Sequence, residues 1–316
     1  MTKLSFCGII IKNVVSERNL SMYPNEILPG IDLYTIFLCI AVVAAIVVYR
    51  LLADKMNIEA RLQNLCIFTA VAAVVGGYAS AVVFQAFYNI KKDGGFVINA
   101  QTGATFYGGL IGGAGIFLLI YFIAGGKMFP EKTHLKRFFN IADIAACSIT
   151  AAHAIGRIGC LMAGCCHGMK TDAWFGIRMQ HLGYKVIPTQ LFEAVFLALL
   201  LVYLLARIKD KQTYCLQIYM GVYGIWRFIV EFLRGDYRGT TIVSTLTPSQ
   251  LTAIIMVFAA VLLIFAQKRL QSASSKASAD PTFVGNDDGY EYDEEYDYDY
   301  GEKSEDKTED QSEKQD

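Results

Sequence analysis

Residues 32–53 read DLYTIFLCIAVVAAIVVYRLLA, with no charged side chain between Asp32 and Arg50. A run this long and apolar matches the roughly 20 residues that an α-helix needs to cross a hydrocarbon core of about 30 Å. Six more such runs follow, near residues 64–88, 105–124, 139–158, 189–208, 215–233 and 247–267. The fourth of the seven is the weakest, because it carries Asp143 and His153, and the second is interrupted by Gly76-Gly77. The sequence therefore predicts an all-α polytopic membrane protein with seven transmembrane helices.

Composition agrees. The 316 residues are 54% hydrophobic and 18% charged, with a mean hydropathy of +0.38 that already includes a polar tail. The net charge of −1 conceals two opposed parts. From Gln271 onward there are 16 acidic residues and 4 lysines, which leaves 24 basic and 13 acidic residues in the first 270. A basic membrane body suits an anionic lipid surface or an anionic substrate. Nothing points to nucleic acid, since no aromatic-basic interleaving or known binding motif is present.

Basic residues place the ends. Arg50, Lys55 and Arg61, then Lys127, Lys132, Lys136 and Arg137, then Arg207, Lys209 and Lys211, then Lys268 and Arg269 fall on one side if the spans alternate. Positive loops face the cytoplasm, so the N-terminus is expected outside and the C-terminus inside. Three regions result: an external N-terminal segment, 1–30; a seven-helix transmembrane domain, 31–268; and a disordered, acidic, tyrosine-rich cytoplasmic tail, 269–316. The first segment does not read as a signal peptide, because its apolar run is short and no small-x-small cleavage pattern follows. The tail alternates Tyr290, Tyr292, Tyr296, Tyr298 and Tyr300 with carboxylates, too little apolar surface to offset ordering.

With this topology the unusual polar groups gather at the outer ends of the spans. Residues 152–168, AHAIGRIGCLMAGCCHG, are the densest in reactive and anion-binding groups. His153 and Arg157 stand one helical turn apart, with Gly156 and Gly159 flanking the arginine. Tyr223, Arg227 and Glu231 share one face at i, i+4, i+8 spacing. An arginine and a glutamate inside an apolar run are costly unless paired or facing a polar cavity. They are read either as an ion pair that staples the bundle or as a cavity wall where the guanidinium forks onto phosphate. Gly108-Gly109-Leu110-Ile111-Gly112-Gly113 holds overlapping small-xxx-small pairs. These serve close helix packing, or expose the Gly108-Gly109 backbone to a substrate.

Of eight cysteines, only Cys160, Cys165 and Cys166 cluster. Zinc is not expected: adjacent cysteines seldom aim at one ion, and the spacing with His167 matches no common zinc module. A disulfide and unbridged, partly buried thiols both stay open. Gly-x-Ser-x-Gly elbows, nucleotide-cradling loops and His-Glu-x-x-His are absent.

Taken in order, Tyr34, Phe106-Tyr107-Gly108-Gly109-Leu110-Ile111-Gly112-Gly113, Gly156-Arg157-Ile158-Gly159, Gly168, Pro188-Thr189-Gln190-Leu191-Phe192-Glu193 and Tyr223 through Arg227, Glu231 and Arg234 resemble the bacterial prolipoprotein diacylglyceryl transferase family. The resemblance spans roughly residues 30–267. It implies a multi-pass enzyme of the bacterial cytoplasmic membrane. Such an enzyme moves diacylglycerol from phosphatidylglycerol onto a lipobox cysteine of a lipoprotein precursor, leaving a thioether and glycerol phosphate.

It also implies catalytic roles for Arg157, Tyr223, Arg227 and Glu231, and substrate contacts for Arg157, Tyr34, Tyr107, Gly108, Gly109, Gly168 and Gln190. Neither metal nor other cofactor is required. Four positions depart from the family pattern: Tyr107 and Ile187 stand where histidines are usual, Cys160 where asparagine is, and Cys165 where an acid is. A tyrosine with a pKa near 10 is a poor base at neutral pH, so His153 or His167 is the expected proton acceptor. The same departures leave room for a same-fold transferase with a different thiol acceptor, or for a lipid-binding or thiol-redox protein without enzymatic activity.

Overall fold

The computed structural model describes residues 32–99, 102–179, 182–210, 213–235 and 246–279, without the side chains of residues 91–93, 106, 107 and 273–279. The 1–30 segment, Lys211 and most of the acidic tail lie outside the described residues. Eight helices are described: α1 (Leu33–Lys55), α2 (Ala60–Asp93), α3 (Phe106–Met128), the single-turn α4 (Thr133–Lys136), α5 (Phe138–Met162), α6 (Thr189–Lys209), α7 (Cys215–Glu231) and α8 (Pro248–Ala279). Six of them, α1, α2, α3, α5, α6 and α8, are long and apolar enough to cross a membrane. The chain is a polytopic membrane protein. At 17 residues α7 is shorter and carries Arg227 and Glu231; it is not among the six.

Local chemistry sets the ends. Asp32 caps α1 by accepting from the Thr35 amide at 2.8 Å and its hydroxyl at 2.7 Å. Those two bonds hold the Asp32 carboxyl below the usual carboxylate range. Asn57, with φ 49°, turns the chain between α1 and α2. At the far end of α3, Tyr121 donates to the His134 carbonyl at 2.6 Å, and burial holds the His134 imidazole below its ordinary pKa.

The helices pair as α1 on α5, α2 on α3, α6 on α5, and α7 on α8, with α7 also against α5 and α6. The apolar core, including Leu52, Leu62, Ile144, Leu197 and Leu204, occupies the end of the bundle that carries Lys55 and Lys132. Outward faces present Val43, Val74, Leu199 and Phe258, as lipid contact requires.

One expectation is corrected: α2 runs unbroken through Gly76-Gly77. The glycines instead let α3 approach: a Cβ on Gly77 would lie 3.0 Å from the Gly109 carbonyl oxygen and 3.1 Å from Gly113 Cα. Gly108 is equally confined, its Cβ position 3.0 Å from the Ser80 carbonyl oxygen. Backbone cannot step aside as a side chain can, so Gly77→Val should destabilise the protein by about 1–3 kcal/mol. The fall in its thermal midpoint in detergent, relative to the outward Val74→Ala, measures this.

The segment between α5 and α6 folds into a hairpin of β1 (Ile177–Arg178) and β2 (Lys185–Val186), antiparallel with Ile177 opposite Val186. Further bridges join Gly168 to Arg234 and Lys170 to Val186, tying the hairpin to the end of α7.

Candidate active site

The polar side chains at the other end of the bundle come from α5, α6, α7 and α8. On α7, Cys215, Tyr219, Tyr223, Arg227 and Glu231 recur every four residues and are all buried, so one stripe of a short helix faces the bundle interior. On α5, His153 and Arg157 face the same space.

Glu193 of α6 joins them. Its carboxylate is only 1% exposed, accepts from the Tyr223 hydroxyl at 2.7 Å and pairs with Arg157 at 2.8 Å. His153 completes the group. Its Nε2 is 3.9 Å from Glu193, its Nδ1 3.3 Å from the Tyr219 hydroxyl, and its ring meets that of Tyr223 edge-on at 4.8 Å. One turn beyond Tyr223, Arg227 pairs with Glu231 at 2.8 Å and donates to the Ser249 hydroxyl at 2.7 Å. Of the two guanidinium–carboxylate pairs, one thus joins α5 to α6 and the other lies within α7.

Each pair is incomplete. Arg157 Nε and Arg227 Nη1 are buried N–H donors with no hydrogen-bond partner among the described residues, and the second oxygen of Glu193, an acceptor, has none either. An orphaned buried donor costs about 1–3 kcal/mol, more for a charged group. Two such donors on neighbouring arginines amount to a site lacking an acceptor.

The turn after α5 is fastened from both flanks. Thr189 donates to the Cys166 carbonyl at 2.9 Å, and Gln190 donates to the Cys165 carbonyl. Gly168 donates to the Ile187 carbonyl at 2.8 Å, and Met169 to the Leu233 carbonyl at 2.9 Å. Gly168 has no room for a side chain, its Cβ position being 2.7 Å from the Leu233 carbonyl oxygen. The expectation that adjacent cysteines diverge is not met: the sulfurs of Cys160, Cys165 and Cys166 all lie within 4.8 Å of one another. No disulfide joins them. Interaction with the Cys160 and then the Cys166 thiol raises the Cys165 thiol above the ordinary cysteine range.

Comparison with known proteins covers the same stretch. The family model for prolipoprotein diacylglyceryl transferase matches residues 26–266. The chain belongs to this family.

Among curated relatives of the family, phosphatidylglycerol–prolipoprotein diacylglyceryl transferase 2 of Clostridium perfringens is 32% identical over 218 residues, which is 65% of this chain and 78% of that protein. The transferase of Finegoldia magna is 32% identical over 246 residues, 76% of this chain and 93% of its own length. That of Clostridium tetani is 28% identical over 232 residues, 71% of this chain and 88% of its own length.

Of the residues expected from the sequence, the structure brings His153, Arg157 and Tyr223 into one cluster and sets the Arg227–Glu231 pair beside it. Tyr34 lies in the first turn of α1, half-exposed, against Gly159. Gln190 is spent on holding the cysteine turn, and Gly108 and Gly109 face α2 in close packing. His167 stays in the turn, its Nδ1 2.9 Å from the Gly168 carbonyl oxygen. Tyr107 belongs to the first turn of α3, and its side chain is outside the described set.

Sequence reasoning missed Glu193, Tyr219 and Ser249 as site residues. For Glu193 a signal existed, a lone carboxylate in an otherwise apolar run. Tyr219 stands four residues before Tyr223 on the same face. Ser249 gave none.

Proposed function

We propose that the protein transfers the diacylglyceryl group of phosphatidylglycerol to the thiol of a lipoprotein-precursor cysteine, forming a thioether and releasing glycerol phosphate. The observation that carries this reading is the pair of unsatisfied donors, Arg157 Nε and Arg227 Nη1, on two buried guanidiniums. A phosphodiester offers acceptor oxygens in the geometry these groups prefer.

As the acceptor sulfur bonds to the glyceryl carbon, the C–O bond breaks and its electron pair moves onto the leaving phosphate. Fixed positive charge at that point favours the transition state over the ground state, because charge increases there. Glu193 and Glu231 keep the two arginines in place. Tyr223, held by Glu193, fixes the spacing between them. His153 is the nearest imidazole to this group and the candidate acceptor of the thiol proton, with His167 further along the turn. Tyr34, half-exposed at the start of α1 beside Gly159, lines the approach of the lipid.

This reading sets α7 across the membrane as the seventh span, with the N-terminus outside, the C-terminus and the acidic tail in the cytoplasm, and the catalytic region within residues 31–268. Three observations support it: α7 packs inside the bundle between α5, α6 and α8; the basic loops alternate as described; and the polar cluster lies at the opposite end. The working location is the bacterial cytoplasmic membrane, where phosphatidylglycerol is a bulk lipid.

The purified chain, given phosphatidylglycerol and a lipobox peptide, should yield a diacylglyceryl peptide and one glycerol phosphate per adduct. It should also complement a strain lacking its own transferase. Absence of phosphatidylglycerol turnover would refute the reading. Turnover without a peptide adduct would favour a transferase with another thiol acceptor, a reading that Cys160, Cys165 and Tyr107 support because they depart from the family pattern.

A further inference from the structure

We infer that Cys160, Cys165 and Cys166 form a zinc site whose open fourth position takes the acceptor thiol. This rests on the transferase reading above and concerns how that thiol is activated.

Three sulfurs within 4.8 Å of one another lie close to the arrangement a single ion imposes. With Zn–S bonds of about 2.3 Å, thiolates around a tetrahedral zinc stand roughly 3.8 Å apart, so the ligands close by about 1 Å. The turn explains why neighbours converge. Gly164 and Cys166 both adopt positive φ, 68° and 64°, which swings the Cys165 and Cys166 side chains toward Cys160 instead of apart. The backbone is held so before any ion arrives, by the Thr189 and Gln190 bonds to the two cysteine carbonyls and by the Cys165 amide donating to the Cys160 carbonyl at 3.2 Å.

Three protein ligands and one open position are the pattern of catalytic rather than structural zinc. Cys160 stands three residues after Arg157 on α5, so a thiol bound there lies beside the leaving phosphate. Coordination lowers its pKa: the acceptor S–H loses its proton, which passes to His153, and the zinc-held thiolate keeps the electron pair. That pair forms the S–C bond as the glyceryl C–O bond breaks, the thioether sulfur leaves the zinc, and the phosphate departs with one further negative charge. The site thereby supplies the activation that the position held by Tyr107 cannot.

The test uses the full chain in detergent, reduced, stripped of metal and titrated with Co²⁺, whose thiolate charge-transfer absorption reports sulfur ligands. One Co²⁺ per chain is expected, with that absorption lost in Cys160→Ser. It should also be lost in Cys165→Ser, whose exposed position keeps folding out of the result. A lipobox peptide should shift the cobalt spectrum and its serine counterpart should not. Removing zinc should slow adduct formation at least a hundredfold, and adding it back should restore the rate.

Failure to bind cobalt at equimolar concentration, or equal rates with and without zinc, overturns the zinc site and leaves the transferase reading standing. A sulfur-ligated cobalt that responds to the peptide, in a chain that never turns over phosphatidylglycerol, supports the zinc site and overturns the transferase reading.

Discussion

Arg227→Ala should abolish thioether formation while leaving the helical bundle assembled. The substitution removes one of the two guanidiniums that face the leaving phosphate, and with it a donor that no protein acceptor occupies. Removing a single preorganised donor to a developing oxyanion costs about a hundred- to a thousandfold in rate. Here the lost group is a full charge in a water-poor setting, so a reduction of at least about a thousandfold is expected. Glu231 would be left buried without its partner at 2.8 Å, a penalty of about 3–5 kcal/mol. The paired variant Arg227→Ala with Glu231→Gln relieves that penalty. Its thermal midpoint should recover toward the parent while its adduct formation stays at background by mass spectrometry. Transfer by either variant within tenfold of the parent would remove Arg227 from the mechanism.

Arg157→Ala should be nearly as damaging, about a hundred- to a thousandfold, and its partner separates two explanations. Glu193 is enclosed, and its contacts to Arg157 and Tyr223 are 2.8 and 2.7 Å. Loss of the arginine strands that carboxylate, so the single variant confounds stability with chemistry. Adding Glu193→Gln keeps an acceptor for the Tyr223 hydroxyl and removes the stranded charge. If Arg157 acts on the phosphate, the double variant melts near the parent but stays inactive. If Arg157 merely neutralises Glu193, the double variant regains most of the rate. Initial rates against phosphatidylglycerol concentration, alongside melting curves, decide between them.

The polytopic membrane class was legible because six helices are long, mostly apolar runs, and bilayer thickness sets the run length a span needs; the short α7, with Arg227 and Glu231, falls below it. The site was legible where polar groups carry a helical period: Tyr223, Arg227 and Glu231 at four-residue spacing, His153 and Arg157 one turn apart. Two kinds of feature were not. Strands of two residues have no period to detect, so the hairpin at Ile177 and Val186 reads as loop. Backbone sign at a single residue leaves no trace in composition, and the positive φ of Cys166 is what turns three scattered thiols into a cluster. The glycine pair in α2 misled for a related reason: glycine weakens a helix in water, yet here its missing side chain is what α3 packs against.

The order in which helices pair has a consequence for biogenesis. Neighbours α2 and α3 zip along their glycine seam as soon as both have entered the bilayer, whereas α1 must wait for α5, its main contact. When Arg157 arrives on α5, its counter-ion Glu193 is still unsynthesised on α6; Arg227 arrives on α7 before Ser249 on α8. Until α6 inserts, Arg157 has only water, lipid headgroups or the insertion machinery to satisfy it; until α8 does, Arg227 has Glu231 of its own helix but lacks Ser249. The polar contacts of the candidate site are thus completed late, Arg157–Glu193 with α6 and Arg227–Ser249 only with α8. Chains cut short before α8 should be recognised as unfinished by membrane proteases, because an arginine in their interior has lost part of its hydrogen-bonding shell.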